Sequence, residues 1–120
     1  MTISYSNYSS INSLEEFSMI AGSTRTLEFT VYEDDGVNLL DLTGATIKWS
    51  LCPFGDFSYN VLQKNGVITG TGTFTVSLTS SDTSSLSGKY IQQPTITDFN
   101  GKIFKPSQGT VLIIPQIPVT

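Results

Sequence analysis

A catalytic serine needs a base to take its proton, and this 120-residue chain has no histidine to serve as one. Serine and threonine together fill 32 positions, so hydroxyls are plentiful, but they read as strand-face and turn residues. Cys52 is the single cysteine. It ends an apolar run just before Pro53, with no nearby histidine, so it reads as a core residue and not as a reactive thiol. One cysteine and no histidine leave neither a disulfide within the chain nor a Cys/His zinc cluster.

Carboxylates are the other source of chemistry. Two of them flanking a glycosidic bond can do acid–base work, but Glu15-Glu16 and Glu33-Asp34-Asp35 fall at the ends of predicted elements, where charge is solvated. Asp34-Asp35-Gly36, and Asp98 with Asn100 and Gly101, carry oxygens that a calcium loop uses but lack its further spaced acids, so both read as hairpin turns. Gly70-Thr71-Gly72 has no following helix and no Lys-Ser/Thr pair, which a phosphate cradle requires. The chemistry available predicts a protein that is not an enzyme and that uses no cofactor or metal.

The same residues point to a β protein. Only 13% of positions are charged, against 38% hydrophobic, and neutral hydroxyls take the place of charge. Threonine suits strands and serine suits turns. The net charge is −4, with eight of the ten acids at or before Asp56. The six basic residues are scattered and form no stripe that could track a phosphate backbone, so nucleic acid is not an expected partner. Met1-Thr2-Ile3-Ser4-Tyr5 lacks the basic flank and apolar stretch of a secretory signal, and Val111-Leu112-Ile113-Ile114 is too short to span a bilayer, so no membrane partner is expected. A mass of 13.0 kDa suits one domain with its own core.

Periodicity divides the chain into an extended arm (1–12), a β domain (13–114) and a C-terminal tail (115–120). The segment 13–20 reads as a short strand or one helical turn, with Leu14, Phe17 and Ile20 at helical spacing. Leu27, Phe29 and Val31 alternate with Glu28, Thr30 and Tyr32; Ile47, Trp49 and Leu51 alternate with Lys48 and Ser50; Phe74, Val76 and Leu78 repeat the pattern. Asn65-Gly66 signals a tight turn. Pro94 interrupts a strand in the way expected of an edge or a bulge. The apolar run 110–114 implies a strand buried on both faces. About seven or eight short strands, with turn signals every ten or so residues, predict an all-β fold: an immunoglobulin-like antiparallel β-sandwich.

The landmarks of that fold are Trp49, Leu78, Asp82, Leu86, Gly88 and Tyr90. A strand ends at Leu78, a Ser/Thr/Asp-rich turn contains Asp82, Leu86 returns inward, Gly88 breaks the turn and Tyr90 opens the next strand. This is the pattern of a tyrosine corner, which crosses from one sheet of a sandwich to the other. Trp49 takes the place of the core tryptophan. Gln92, two residues after Tyr90, stands where antibody domains have their second cysteine.

Read together, Leu27-Glu28-Phe29-Thr30-Val31, Leu42-Thr43-Gly44-Ala45-Thr46-Ile47-Lys48-Trp49, Gly72-Thr73-Phe74-Thr75-Val76-Ser77-Leu78-Thr79, the corner Asp82…Leu86…Gly88…Tyr90, and Gly109-Thr110-Val111 resemble a family of phage virion domains. These are the N-terminal domains of phage baseplate upper proteins and their stand-alone immunoglobulin-like relatives. The resemblance covers about residues 18–114. It implies a non-enzymatic structural role in a bacteriophage virion, assembled in the host cytoplasm. Baseplate upper proteins carry this domain ahead of a longer stalk, whereas this sequence stops at Thr120. The expectation is therefore a small capsid decoration protein, with a baseplate, neck or tail-fibre adaptor as the alternative. The expected partners are the major capsid protein or tail and baseplate proteins, with self-association as a further option. Tyr5, Tyr8 and Ile11 in the arm and Ile117 and Val119 in the tail are the candidate docking residues. A carbohydrate-binding module is the competing class, because Tyr32, Phe57 and Tyr59 could stack on sugar rings.

Overall fold

The computed structural model describes residues 2–6, 15–33, 37–105 and 108–117, with backbone alone at 2–6 and 15–16. Among these residues it contains ten strands and one helical turn: β1 (Thr2–Ser6), β2 (Glu15–Ile20), β3 (Arg25–Tyr32), β4 (Thr46–Pro53), β5 (Leu62–Asn65), β6 (Val67–Gly70), β7 (Thr73–Leu78), α1 (Ser80–Thr83), β8 (Gly88–Thr97), β9 (Ile103–Phe104) and β10 (Gly109–Ile114). They form a 4-stranded sheet in the order β1-β3-β7-β6 and a 6-stranded sheet in the order β2-β10-β8-β4-β5, with β9 paired to β8. This is the immunoglobulin-like β-sandwich expected from the sequence. The extra strands over the expected count are short edge pieces.

Strict alternation builds the core. Leu27, Phe29 and Val31 from β3, Ile47, Trp49 and Leu51 from β4, and Phe74, Val76 and Leu78 from β7 are all buried between the sheets. Phe29 and Phe74 are register partners across β3 and β7, and their rings stack with centroids 4.7 Å apart. On β8 the inward set is Tyr90, Gln92, Pro94 and Ile96. Gln92 is 0% exposed, and its side-chain Oε1 accepts a hydrogen bond from Trp49 Nε1 at 2.7 Å. The indole N–H, which cannot stay unpaired in a core, is thereby satisfied by a residue on the neighbouring strand.

The corner takes the expected form. The chain leaves β7, makes the single turn of α1, and enters β8 in the other sheet. Tyr90 Oη donates to the Ser87 carbonyl at 3.0 Å and accepts from the Ser87 amide at 3.2 Å. Leu86 packs against the core, and Gly88 has φ +104°, a conformation open to glycine. The Asp82 carboxylate accepts from the Thr79 amide at 2.7 Å and pairs with Lys64 Nζ of β5 at 3.0 Å. Thr83, buried in the same turn, accepts from the Gly22 amide at 3.0 Å, which ties the corner to the β2–β3 turn.

Several expectations change on contact with the structure. Asn65-Gly66 is not a hairpin turn: β5 and β6 belong to different sheets, and Gly66 is where the chain passes between them. The reason for glycine is space, since a Cβ there would lie 2.7 Å from Ile47 Cγ2. The helical spacing of Phe17 and Ile20 is accidental, because β2 is a strand with Met19 inward and Ile20 outward. Pro94 lies in a central strand, but β10 pairs with β8 only through Gln92 and β9 resumes at Ile96, so on that side β8 is locally an edge at the proline. Burial on both faces holds only at the start of residues 110–114: Thr110 is buried, but on the same face Leu112 is 47% and Ile114 43% exposed. The first residues of the expected arm, Thr2–Ser6, pair parallel with β3. The turn expected at Asp34-Asp35-Gly36 lies outside the described residues.

Replacing Trp49 by Phe removes the indole donor and leaves the Gln92 amide oxygen buried without it. The expected loss is about 2–3 kcal/mol in urea unfolding at unchanged m-value, whereas an exposed Thr69→Ala control shifts the midpoint little. Asp82 gives a pH-dependent test. Its carboxyl is held below the ordinary value of 3.8, chiefly by the Thr79 amide and in part by Lys64. A folded-state value below the unfolded one stabilises the protein above pH 3.8, and this is lost as pH falls through the lowered value. Asp82→Asn is therefore expected to cost about 1 kcal/mol at neutral pH, with the two proteins converging in denaturation curves recorded at progressively lower pH.

Candidate docking surface

Because the inner faces of both sheets are consumed by the core, anything this protein binds must meet an outer face, an edge or a terminus. The outer face of the 6-stranded sheet divides into two chemically distinct halves. At the β2–β10 end, Ile114 is the register partner of Ile20, and Leu112 partners Ser18 on one side and Lys89 on the other. Ile20 is 54% exposed, so Ile20, Leu112 and Ile114 form an apolar stripe on adjacent strands. Lys89 Nζ sits 4.5 Å above the Phe54 ring, which extends the stripe with a cation–π pair. A shallow depression of about 450 Å³ opens here, lined by Phe17, Ser18, Lys89, Thr110 and Leu112. Exposed aliphatic side chains on neighbouring strands, rimmed by a lysine and hydroxyls, have the composition of a protein–protein contact.

The half formed by β5, β4 and β8 is polar. Register places Gln93, Ser50 and Gln63 in one row across three strands, and Thr95, Lys48 and Asn65 in the next. Gln63 Nε2 donates to Ser50 Oγ at 3.1 Å, and Gln108 Nε2 donates to Gln93 Oε1 at 2.8 Å. Cys52 lies in the third row, opposite Ile91, and is partly exposed on this face instead of in the core where the sequence placed it. Its Sγ donates to Asn60 Oδ1 at 3.0 Å. Partial burial, with a smaller contribution from the negative charge of Asp56, pushes the thiol above its ordinary value. Asp56 itself is held below its ordinary value by hydrogen bonds from the Ser58 hydroxyl and amide.

Of the residues expected to dock, Tyr8, Ile11 and Val119 lie outside the described residues. Tyr5 occupies the register position opposite Val31 in β1. Ile117 is 86% exposed. It follows Gln116, whose amide reaches the Ser84 carbonyl at 3.4 Å. The three aromatics proposed to hold sugar are not brought together as a set: Tyr32 is on β3 of the 4-stranded sheet, whereas Phe57 and Tyr59 are on the loop after β4. The apolar stripe escaped sequence reading because a continuous hydrophobic run does not say which of its faces is covered. The outward phase of Ile20, Leu112 and Ile114 follows only from pairing with β2. Among the described residues no group of three or more Cys, Asp or Glu side chains is placed to hold a metal ion, and no helix is long and apolar enough to cross a membrane.

No family model and no curated protein matches the sequence. Among solved structures, the N-terminal domain of phage TP901-1 ORF48 matches with a TM-score of 0.64 at 11% identity, covering 94% of this chain and 96% of that one. A likeness at this identity is one of fold, and it extends over nearly the whole of both chains.

The raised thiol predicts that Cys52 reacts with an aromatic disulfide reagent at mildly alkaline pH about tenfold more slowly in the folded protein than in urea. A stopped-flow trace showing equal rates would contradict the placement of Cys52.

Proposed function

We propose that this protein is a non-enzymatic structural component of a bacteriophage virion that docks on other virion proteins. The observation that carries this reading is the near-complete fold match to a domain of a phage protein. It agrees with the sequence landmarks that resemble baseplate upper proteins and their relatives. The stripe of Ile20, Leu112 and Ile114 supplies a surface suited to a neighbouring subunit.

Two places on the particle fit. One is the capsid lattice, where the chain would serve as a decoration protein. The likeness to the N-terminal domain of a phage protein favours an adaptor position in the baseplate, neck or tail fibre. A domain that only needs to be held by its neighbours requires complementary surface and no reactive group, which is what the outer sheet offers at the β2–β10 end.

The test is to image virions of the parent phage with a tag on this chain. Label on the head supports decoration, label at the tail supports the adaptor, and virions that carry no copy overturn the reading. Leu112→Asp together with Ile114→Asp is expected to lower particle incorporation at least tenfold while leaving the unfolding midpoint close to that of the parent protein, because both side chains are half exposed.

A further inference from the structure

We propose that the polar half of the outer sheet is a binding site for a neutral saccharide, centred on Ser50, Gln93 and Phe57. The site is separate from the apolar stripe and adds a ligand-binding role to the docking role. It also differs from the three-aromatic arrangement expected from sequence, since Tyr32 belongs to the other sheet.

The first observation is the row Gln63–Ser50–Gln93, extended by Gln108. An exposed sheet face is ordinarily solvated by lysine and glutamate, whose charges are costly to strip of water. Here the two central rows carry neutral amides and hydroxyls, with Lys48 as their one cation. Sugar hydroxyls both donate and accept, and a carboxamide offers two donors and an acceptor in one plane. Gln93 accepts from Gln108, and Gln63 donates to Ser50, so these side chains are oriented before a ligand arrives. One bond apiece does not use up an amide, which keeps further donor and acceptor capacity at Gln93 and Gln63.

The second observation is shape. A trough of about 680 Å³ runs over Lys48, Ser50, Gln63, Asn65 and Thr95. It adjoins a pocket of about 240 Å³ that shares Ser50 and is lined by Asn60, Gln93 and Phe57. The trough volume lies within the range of small-ligand sites. Phe57 is 64% exposed yet forms part of the pocket lining, so its ring offers an apolar surface beside the amides. A sugar ring has an apolar C–H face and a polar hydroxyl rim, and this surface matches both. A phosphorylated or strongly anionic ligand is disfavoured, because Lys48 alone would have to neutralise it.

The experiment is a heteronuclear NMR titration of the full chain with glucose, galactose, rhamnose and N-acetylglucosamine, each followed up to high millimolar concentration. The expected result is saturable movement of the side-chain amide signals of Asn60, Gln63, Gln93 and Gln108 with at least one sugar. Affinity is expected to be weakened about tenfold in Phe57→Ala, and to be unchanged in Leu112→Asp. Phe57 is exposed on a loop, and an unchanged spectrum elsewhere in Phe57→Ala verifies that the variant is folded. No movement with any of the four sugars overturns the proposal, as does movement confined to other residues or insensitive to Phe57→Ala. Particle incorporation is read separately, so loss of the saccharide site leaves the structural role standing, and loss of incorporation leaves the saccharide site standing.

Discussion

The fold turns on one buried hydrogen bond, from Trp49 Nε1 to Gln92 Oε1 at 2.7 Å. An immunoglobulin-like core wants a large ring on its central strand, and tryptophan fills that volume at the cost of bringing an N–H into a region without water. The residue facing this N–H lies two positions after the corner tyrosine, where antibody domains use a cysteine to bolt the sheets together. A glutamine there cannot cross-link, but it satisfies the indole and fixes β4 against β8 in the register that pairs Trp49 with Pro94 and Leu51 with Gln92. Shifting that register by one residue would turn every inward side chain of the strand outward. Sheet order, corner and outer-face rows all depend on this alignment.

The corner performs the complementary task of holding the two sheets face to face. Tyr90 closes the bend onto Ser87, Thr83 holds the β2–β3 turn, and Asp82 reaches Lys64 on the far edge of the 6-stranded sheet. Two short contacts from the four-residue turn α1, Thr83 to Gly22 and Asp82 to Lys64, reach elements distant in sequence. The chain lacks any covalent brace, so cross-sheet geometry rests on these contacts and on packing. The ion pair is a minor contributor, because both partners are partly exposed. The Asp82 bond to the Thr79 amide and the buried Thr83 hydroxyl matter more, since each satisfies a backbone donor at a helix end or turn.

Much of the fold was legible because alternation with period two has one physical cause, a strand half covered by core. Leu27-Phe29-Val31, Ile47-Trp49-Leu51 and Phe74-Val76-Leu78 face inward as the pattern requires. The corner was legible because glycine, tyrosine and a capping acid each act locally. Legibility failed where a residue's role is set by a partner far along the chain. Gly66 looks like a turn glycine beside Asn65, yet its requirement is the closeness of Ile47. Leu112 and Ile114 look like core, yet the strand that pairs beside them, β2, brings no layer to cover their outward face. Cys52 ends an apolar run, yet its phase is that of Ser50 and not of Leu51. The candidate surfaces were less legible than the core for the same reason: rows such as Gln63–Ser50–Gln93 exist only across strands.

The edges of this sandwich are protected against indiscriminate backbone pairing. An open strand presents unpaired amides and carbonyls to any passing chain. The 4-stranded sheet meets this at one side with β6, which is four residues long and shifts register between Ile68 and Gly70. It meets it at the other with the parallel addition of β1 to β3. The 6-stranded sheet ends in the equally short β5, whose Lys64 is drawn to the corner, and in β2, where Arg25 Nη2 donates to the Ser18 carbonyl at 3.2 Å. Backbone pairing is thus discouraged at three of the four borders and already used along β3. Specific association is left to side chains on the outer faces, where Ile20, Leu112 and Ile114 provide apolar area that a matching surface can cover. Such a surface would discriminate by shape complementarity, because backbone pairing accepts many sequences and a packed side-chain contact accepts few.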